Sequence, residues 1–179
     1  MLPYGAEALA RSFRTVRDNT LAAAEEIPAD QYDFRPAPEC RTVEKLLTHI
    51  ALGYRFQHQL HAVEGLDTLE GFDFFGLMGG LAAEEEKPRT KEEVIALLEA
   101  EGARWEAFLG QVSDDFLSER VALPHEGPEA SKGRLEMIMS VKEHEMHHRG
   151  QLMLIQRMLG IVPHLTRARL ARMAEVAEN

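Results

Sequence analysis

Residues 144–151 read H-E-M-H-H-R-G-Q, and two of these residues, His144 and His148, have the spacing to hold one metal ion. On an α-helix a four-residue step is about 40° of rotation and about 6 Å of rise, so both imidazoles reach a common point. They continue a stripe of Met137, Val141, Leu152, Ile155 and Leu159, which turns the pair toward the interior. Buried imidazoles without partners leave polar nitrogens unsatisfied, and a divalent ion satisfies both at once. A single core histidine is more often hydrogen-bonded than metallated, so the inference rests on the pair. His147 lies about 100° around the helix from His148, at the edge of the stripe, where it faces solvent or supports a ligand from outside.

Two ligands from one helix are rarely enough, so a third is expected from a facing helix. Residues 42–63 offer His49, His58 and His61. His49 shares an inward row with Leu46 and Gly53, and Gly53 would leave open space one turn away. In a continuous helix His58 lies about 180° around, and His61 about 120° around and about 18 Å further along. Elimination therefore selects His49. His58, His61, His125 and His164 are read as surface or loop residues. The methionines 137, 139, 146, 153 and 158 are read as core filler or interface. The string H-E-x-x-H is also the zincin signature, with Glu145 as general base. The extended form wants glycine and histidine where Gln151 and Leu154 stand, so Glu145 is read instead as pairing with Arg149, four residues on.

The elements that must position these histidines are helical. Leu9, Phe13, Val16, Thr20, Ala24 and Ile27 recur at helical steps, which predicts a helix over residues 4–27, ended by Pro28. A Pro-rich loop follows. Thr42 is a plausible N-cap for a second helix over 42–63, with Val43, Leu46, Ile50, Tyr54 and Leu60 inward. The Gly-rich, aromatic stretch after it reads as a lid or loop. Thr90 and Glu93 form a capping box for a third helix, faced by Val94, Leu97, Leu98, Trp105, Phe108 and Leu109. Residues 113–133 read as a long crossover with a possible short strand at 119–123. The fourth helix spans 134–159 with Gly160 just beyond it, and a short tail helix spans 167–177. The expected fold class is all-α: one domain over residues 1–179, a four-helix bundle with a long crossover connection and a short C-terminal tail helix.

Composition narrows the function classes. The chain has 179 residues and a formal net charge of −10, from 30 acidic against 20 basic residues. Such a chain repels phosphates on average, so nucleic acid is not expected as a partner. The tail's Arg167, Arg169 and Arg172 form one short basic face, read as solvated. One cysteine excludes an internal disulfide and suits a reducing cytoplasm. The first residues lack a signal-peptide pattern, and no apolar run approaches the roughly 20 residues that cross a bilayer. A cytoplasmic protein without a membrane association is expected.

Two segments, IPADQYDFRPAPECRTVEKLLTHIALGY and VKEHEMHHRGQLMLIQRMLG, together with the helix pattern, resemble the DinB (YfiT-like) superfamily of metal-binding four-helix bundles over about residues 4–162. The resemblance implies that His49, His144 and His148 bind a divalent metal; nickel, zinc and iron all occur in the family. It implies a bundle with a long crossover, often a homodimer. Some members are thiol-dependent transferases or isomerases; others are DNA-damage-inducible proteins of unknown activity. The chain departs from the pattern in its Gly-rich insert at 71–80 and in its tail. The expected function is a metal-dependent enzyme with a small-molecule substrate such as a low-molecular-weight thiol, since three imidazoles leave coordination positions open. The alternatives are a non-enzymatic, stress-related metal-binding module, a structural bundle with an incidental ion, and a metal-dependent hydrolase. A polar, ligand-sized pocket over the metal would favour an enzyme, and an apolar lid of Phe72, Phe74 and Phe75 a structural ion.

Overall fold

The computed structural model describes residues 4–125, 127 and 130–177. Four long segments make the bundle: α1 (Ala6–Glu26), α2 (Val43–Leu52) with its continuation α3 (Arg55–His58), α5 (Lys91–Leu109) and α7 (Arg134–Met158). Shorter helices are α4 (Phe74–Glu85), α6 (Asp114–Ser118) and the tail α8 (His164–Ala177). The connection from α5 to α7 carries α6 and a two-stranded antiparallel hairpin, β1 (Arg120–Ala122) and β2 (Ser131–Gly133), in register Val121↔Lys132. The short strand expected near 119–123 is β1. No helix among the described residues is long and apolar enough to cross a membrane.

The caps follow the sequence signals. The Thr42 hydroxyl accepts from Lys45 N at 3.2 Å, and Thr90 and Glu93 close the capping box of α5. Gly160 takes φ +78°, which an L side chain resists. Its N–H donates to the Arg157 carbonyl and the Ile161 N–H to the Gln156 carbonyl, the pair of bonds that satisfies a helix C-terminus.

The long helices do not pack in chain order: α1 and α2 each pack on both α5 and α7. The predicted stripes meet in two main clusters. Ala24, Ile27, Leu46, Ile50, Leu98, Leu152 and Ile155 fill one end. Leu9, Phe13, Tyr54, Trp105 and Val141 fill the other. The α2–α7 contact is the one that sets His49 opposite His144 and His148.

Several expectations need correction. The second helix is not continuous. It breaks at Gly53 and Tyr54, resumes as α3 and ends in a π-helical turn, Gln59–Val63. Nor does Gly53 leave open space: a Cβ there would lie 2.8 Å from the His144 ring, so the ring itself fills the space that glycine clears. From Phe74 onward the 71–80 insert is not a loop but the first part of α4, started by Asp73 accepting from Gly76 N at 2.9 Å. Its glycines hid it, and Lys45 Nζ holds its C-terminal end by donating to the carbonyls of Glu85 and Lys87. Glu145 does not pair with Arg149. It lies buried and takes a two-pronged ion pair from Arg17 of α1, with Nε and Nη2 both at 2.9 Å.

His61 is also no surface residue. It is 3% exposed, and its Nδ1 accepts from Arg134 Nη1 at 2.9 Å. Burial first, and the Arg134 charge second, bring its pKa from 6.5 down to about 4. Across that window the unfolded chain binds the extra proton, so stability falls as pH falls from about 6.5 toward 4, by about 3 kcal/mol in all. His61→Asn keeps an acceptor for Arg134 and does not titrate. It is expected to flatten this part of the stability profile, read by urea denaturation between pH 7 and pH 4.5; a variant profile as steep as the native one would contradict the assignment.

Candidate metal centre

His49, on the last turn of α2, meets His144 and His148 on the middle of α7. His49 Nε2 lies 3.0 Å from His144 Nε2, and His148 Nε2 lies 3.2 Å from the same atom. One nitrogen from each of the three lies within 4.8 Å of the other two. Nitrogen ligands at about 2.0–2.1 Å from a zinc-sized ion sit about 2.9 Å apart at a right angle and about 3.3 Å apart at a tetrahedral one. The donor set and spacing therefore fit a divalent ion. The rings are half-buried, and burial, aided by their neighbours' charges, lowers the pKa of His144 to about 4 and that of His148 below its ordinary value. Both are neutral at pH 7, the form in which imidazole ligates.

The outer nitrogens are fixed as well. His49 Nδ1 lies 2.8 Å from Glu85 Oε2, so Nδ1 carries the proton and Nε2 presents its lone pair inward. Burial opposes ionisation of Glu85, but hydrogen bonds from His49 and Arg41 outweigh it and bring the carboxyl down to about 2. His148 Nδ1 likewise donates to Gln151 Oε1 at 2.8 Å, and Gln151 Nε2 donates to His147 Nε2 at 3.2 Å. His147 is exposed and outside the cluster; it acts on His148 through Gln151. Glu85→Gln removes the charge facing His49 and the ion pair to Arg41. It is expected to weaken metal binding about 10- to 100-fold with the bundle intact. Chelator competition measures this, and an unchanged affinity would show that Glu85 does not orient His49.

Of the five other histidines, none joins the cluster. His58 is half-buried, its ring against Tyr54 and Trp105 at 5.6 and 6.4 Å. His164 Nε2 bonds Asn19 Oδ1 at 2.9 Å. Arg167 pairs with Glu26, so the tail's basic face is not wholly solvated. Two supporting residues escaped the sequence reading. Gln151 carried a signal, three residues after His148 on one helix face. Glu85 carried none, because it stands 36 residues from its partner, between the stretch read as a loop and the third helix.

The pattern that defines the DinB superfamily matches residues 12–152. The chain belongs to the DinB superfamily. Two solved structures share the family's fold with it. A DinB-like protein from Bacillus subtilis superposes with a TM-score of 0.62 at 20% identity, over 85% of this chain and 92% of that one. YfiT from Bacillus subtilis, described as a probable metal-dependent hydrolase with an unusual four-helix bundle topology, gives 0.66 at 17% identity, over 90% of this chain and 91% of that one. A search of curated proteins gave no match. In this chain α1 and α2 each pack on α5 and α7, which sets the second long helix against the fourth.

Proposed function

We propose that the protein is a metal-dependent enzyme acting on a small molecule, with His49, His144 and His148 as the metal ligands. The supporting observation is a groove of about 320 Å³ that His148 itself lines. Leu46, Leu154 and Ile155 form its apolar side, and Cys40, Arg41 and Gln151 its polar rim. The rings of Phe72 and Phe74 gather on Phe56, and Phe75 is 86% exposed, so these aromatics do not form the apolar cover that a structural ion would want.

Within that reading we favour thiol transfer. A divalent ion bound here would supply the positive centre that lowers the pKa of a thiol or of water. Two carboxylates beside the ligands are committed, Glu145 to Arg17 and Glu85 to His49 and Arg41, while Glu39 stands at the exposed rim of the groove. A reaction whose nucleophile needs no carboxylate base suits such a site. Hydrolysis is the second reading, favoured by the description of YfiT. Nickel, zinc and iron are all candidates, because an imidazole set does not separate them. The test is metal analysis of protein purified without added metal. A parallel screen then offers a low-molecular-weight thiol with an activated aryl halide, and a set of activated esters. Metal-dependent turnover of the first supports transfer; turnover of the esters alone moves the assignment to hydrolysis.

A homodimer is also proposed. Leu154, Met158, Val162, Leu170, Met173 and Val176 are each more than half exposed along the end of α7 and on α8. Sedimentation equilibrium at micromolar concentration is expected to give twice the 20.2 kDa chain mass, and a pure monomer would refute it.

A further inference from the structure

A second cavity, of about 340 Å³, lies between α3, α4 and α5 and shares no lining residue with the groove at His148. Leu77 and Leu81 of α4 give it one apolar wall. Arg55, Arg104, His58 and Gln59 line the rest with Tyr54. No carboxylate among the described residues lines it, in a chain whose acids outnumber its bases by 30 to 20.

The two guanidiniums are held from behind by one carboxylate. Glu101 is 3% exposed. Its Oε1 accepts from Arg55 Nη2 at 2.8 Å and Arg104 Nη1 at 3.1 Å. Its Oε2 accepts from Arg55 Nε at 2.9 Å and from the Tyr54 hydroxyl at 2.6 Å. That carboxylate is fully used and balances only one of the two positive charges; the other carboxylate whose charge reaches Arg55, Glu84, is itself paired with Lys87 and Arg89. Arg55 and Arg104 retain N–H groups beyond these bonds, and both line the cavity with side chains 31% and 56% exposed. Planar guanidiniums fixed in this way are preorganised for a planar anion. The backbone is irregular at this point, since the α-helical turn ending at His58 passes into the π-helical turn beginning at Gln59; such π turns recur at functional sites.

We propose that this cavity binds a small organic monocarboxylate. Its carboxylate is held by Arg55 and Arg104, and its hydrocarbon part lies on Leu77 and Leu81. One surplus positive charge matches a monoanion, and the apolar wall demands a hydrocarbon portion that an inorganic anion lacks. The volume stands at the lower end of small-molecule sites. The proposal does not rest on the metal centre.

The test is calorimetric titration of the full-length protein with hexanoate, using hexanamide as the neutral isostere. Hexanoate is expected to bind saturably, one per chain, and hexanamide at least tenfold more weakly. Arg104→Gln removes the more exposed guanidinium and is expected to cost hexanoate tenfold or more. Leu81→Glu sets a carboxylate across the cavity and is expected to abolish binding, which keeps the test open if the arginine variant folds poorly. His148→Ala separates this site from carboxylate binding to a metal, and hexanoate affinity should survive it. The proposal is overturned if hexanoate and hexanamide bind alike, if neither binds saturably, or if binding is lost in His148→Ala but kept in Arg104→Gln.

Discussion

Replacing His49 by alanine is expected to weaken divalent-metal binding by more than about 100-fold, beyond the roughly 10- to 100-fold typical of removing an outer partner. The reason is the geometry around His144 Nε2, which has His49 Nε2 at 3.0 Å on one side and His148 Nε2 at 3.2 Å on the other. Removing His49 leaves two ligands from one helix and takes away the only one contributed by α2. It also releases Glu85 from its bond to Nδ1. His58→Ala and His61→Asn are the controls. The first loses a ring packed edge-to-face against Tyr54 and Trp105, and the second preserves an acceptor for Arg134. Both should leave metal affinity nearly unchanged. Chelator competition on the three variants in parallel measures this, and a larger loss from either control than from His49→Ala would overturn both the ligand set and the role of the α2–α7 contact.

The largest effect on stability is expected from Glu145→Ala, about 3–5 kcal/mol. This substitution leaves the Arg17 guanidinium buried in the bundle without its carboxylate, 4% exposed and enclosed by α5 and α7. Its remaining bond, Nη1 to the Leu98 carbonyl at 2.5 Å, does not neutralise it. Gly102 marks how closely α5 approaches: a Cβ there would stand 2.9 Å from Arg17 Nη1, so the arginine has little room to withdraw. Replacing both partners with apolar side chains, Arg17→Met with Glu145→Leu, should recover most of the loss, since an apolar pair of similar volume carries no desolvation cost. Urea denaturation of the single and double variants gives both numbers. A loss below about 1 kcal/mol for Glu145→Ala would place the pair in the class of solvent-exposed ion pairs and contradict its burial. The same bond answers the zincin reading, because a carboxylate gripped at both oxygens by arginine is not placed to act as a general base at the metal.

The amino-acid sequence determined the helices and the half of the site that lies on one of them. The stripes on α1, α2, α5 and α7 are local patterns, and each buries the face it announces. The Thr42 cap, the capping box of α5, the glycine at position 160 and the pair His144 and His148 are all read within a few residues, where rotation per residue is a constant of the helix. His49 was also legible, but by an argument about a continuous helix that the fold does not keep: the helix is interrupted at Gly53, where the His144 ring packs. That contact joins residues 91 positions apart, so no local spacing contains it. The same holds for Glu85 on His49, Arg17 on Glu145, Arg134 on His61 and the two arginines on Glu101. In each case a charged or polar group is buried only because a distant segment supplies its partner. Polar side chains carry no periodic signature of burial, so such pairings are decided when the helices assemble and the desolvation cost selects the partner. Hydrophobic spacing alone therefore determined which faces turn inward, and tertiary structure decided which polar groups those faces enclose.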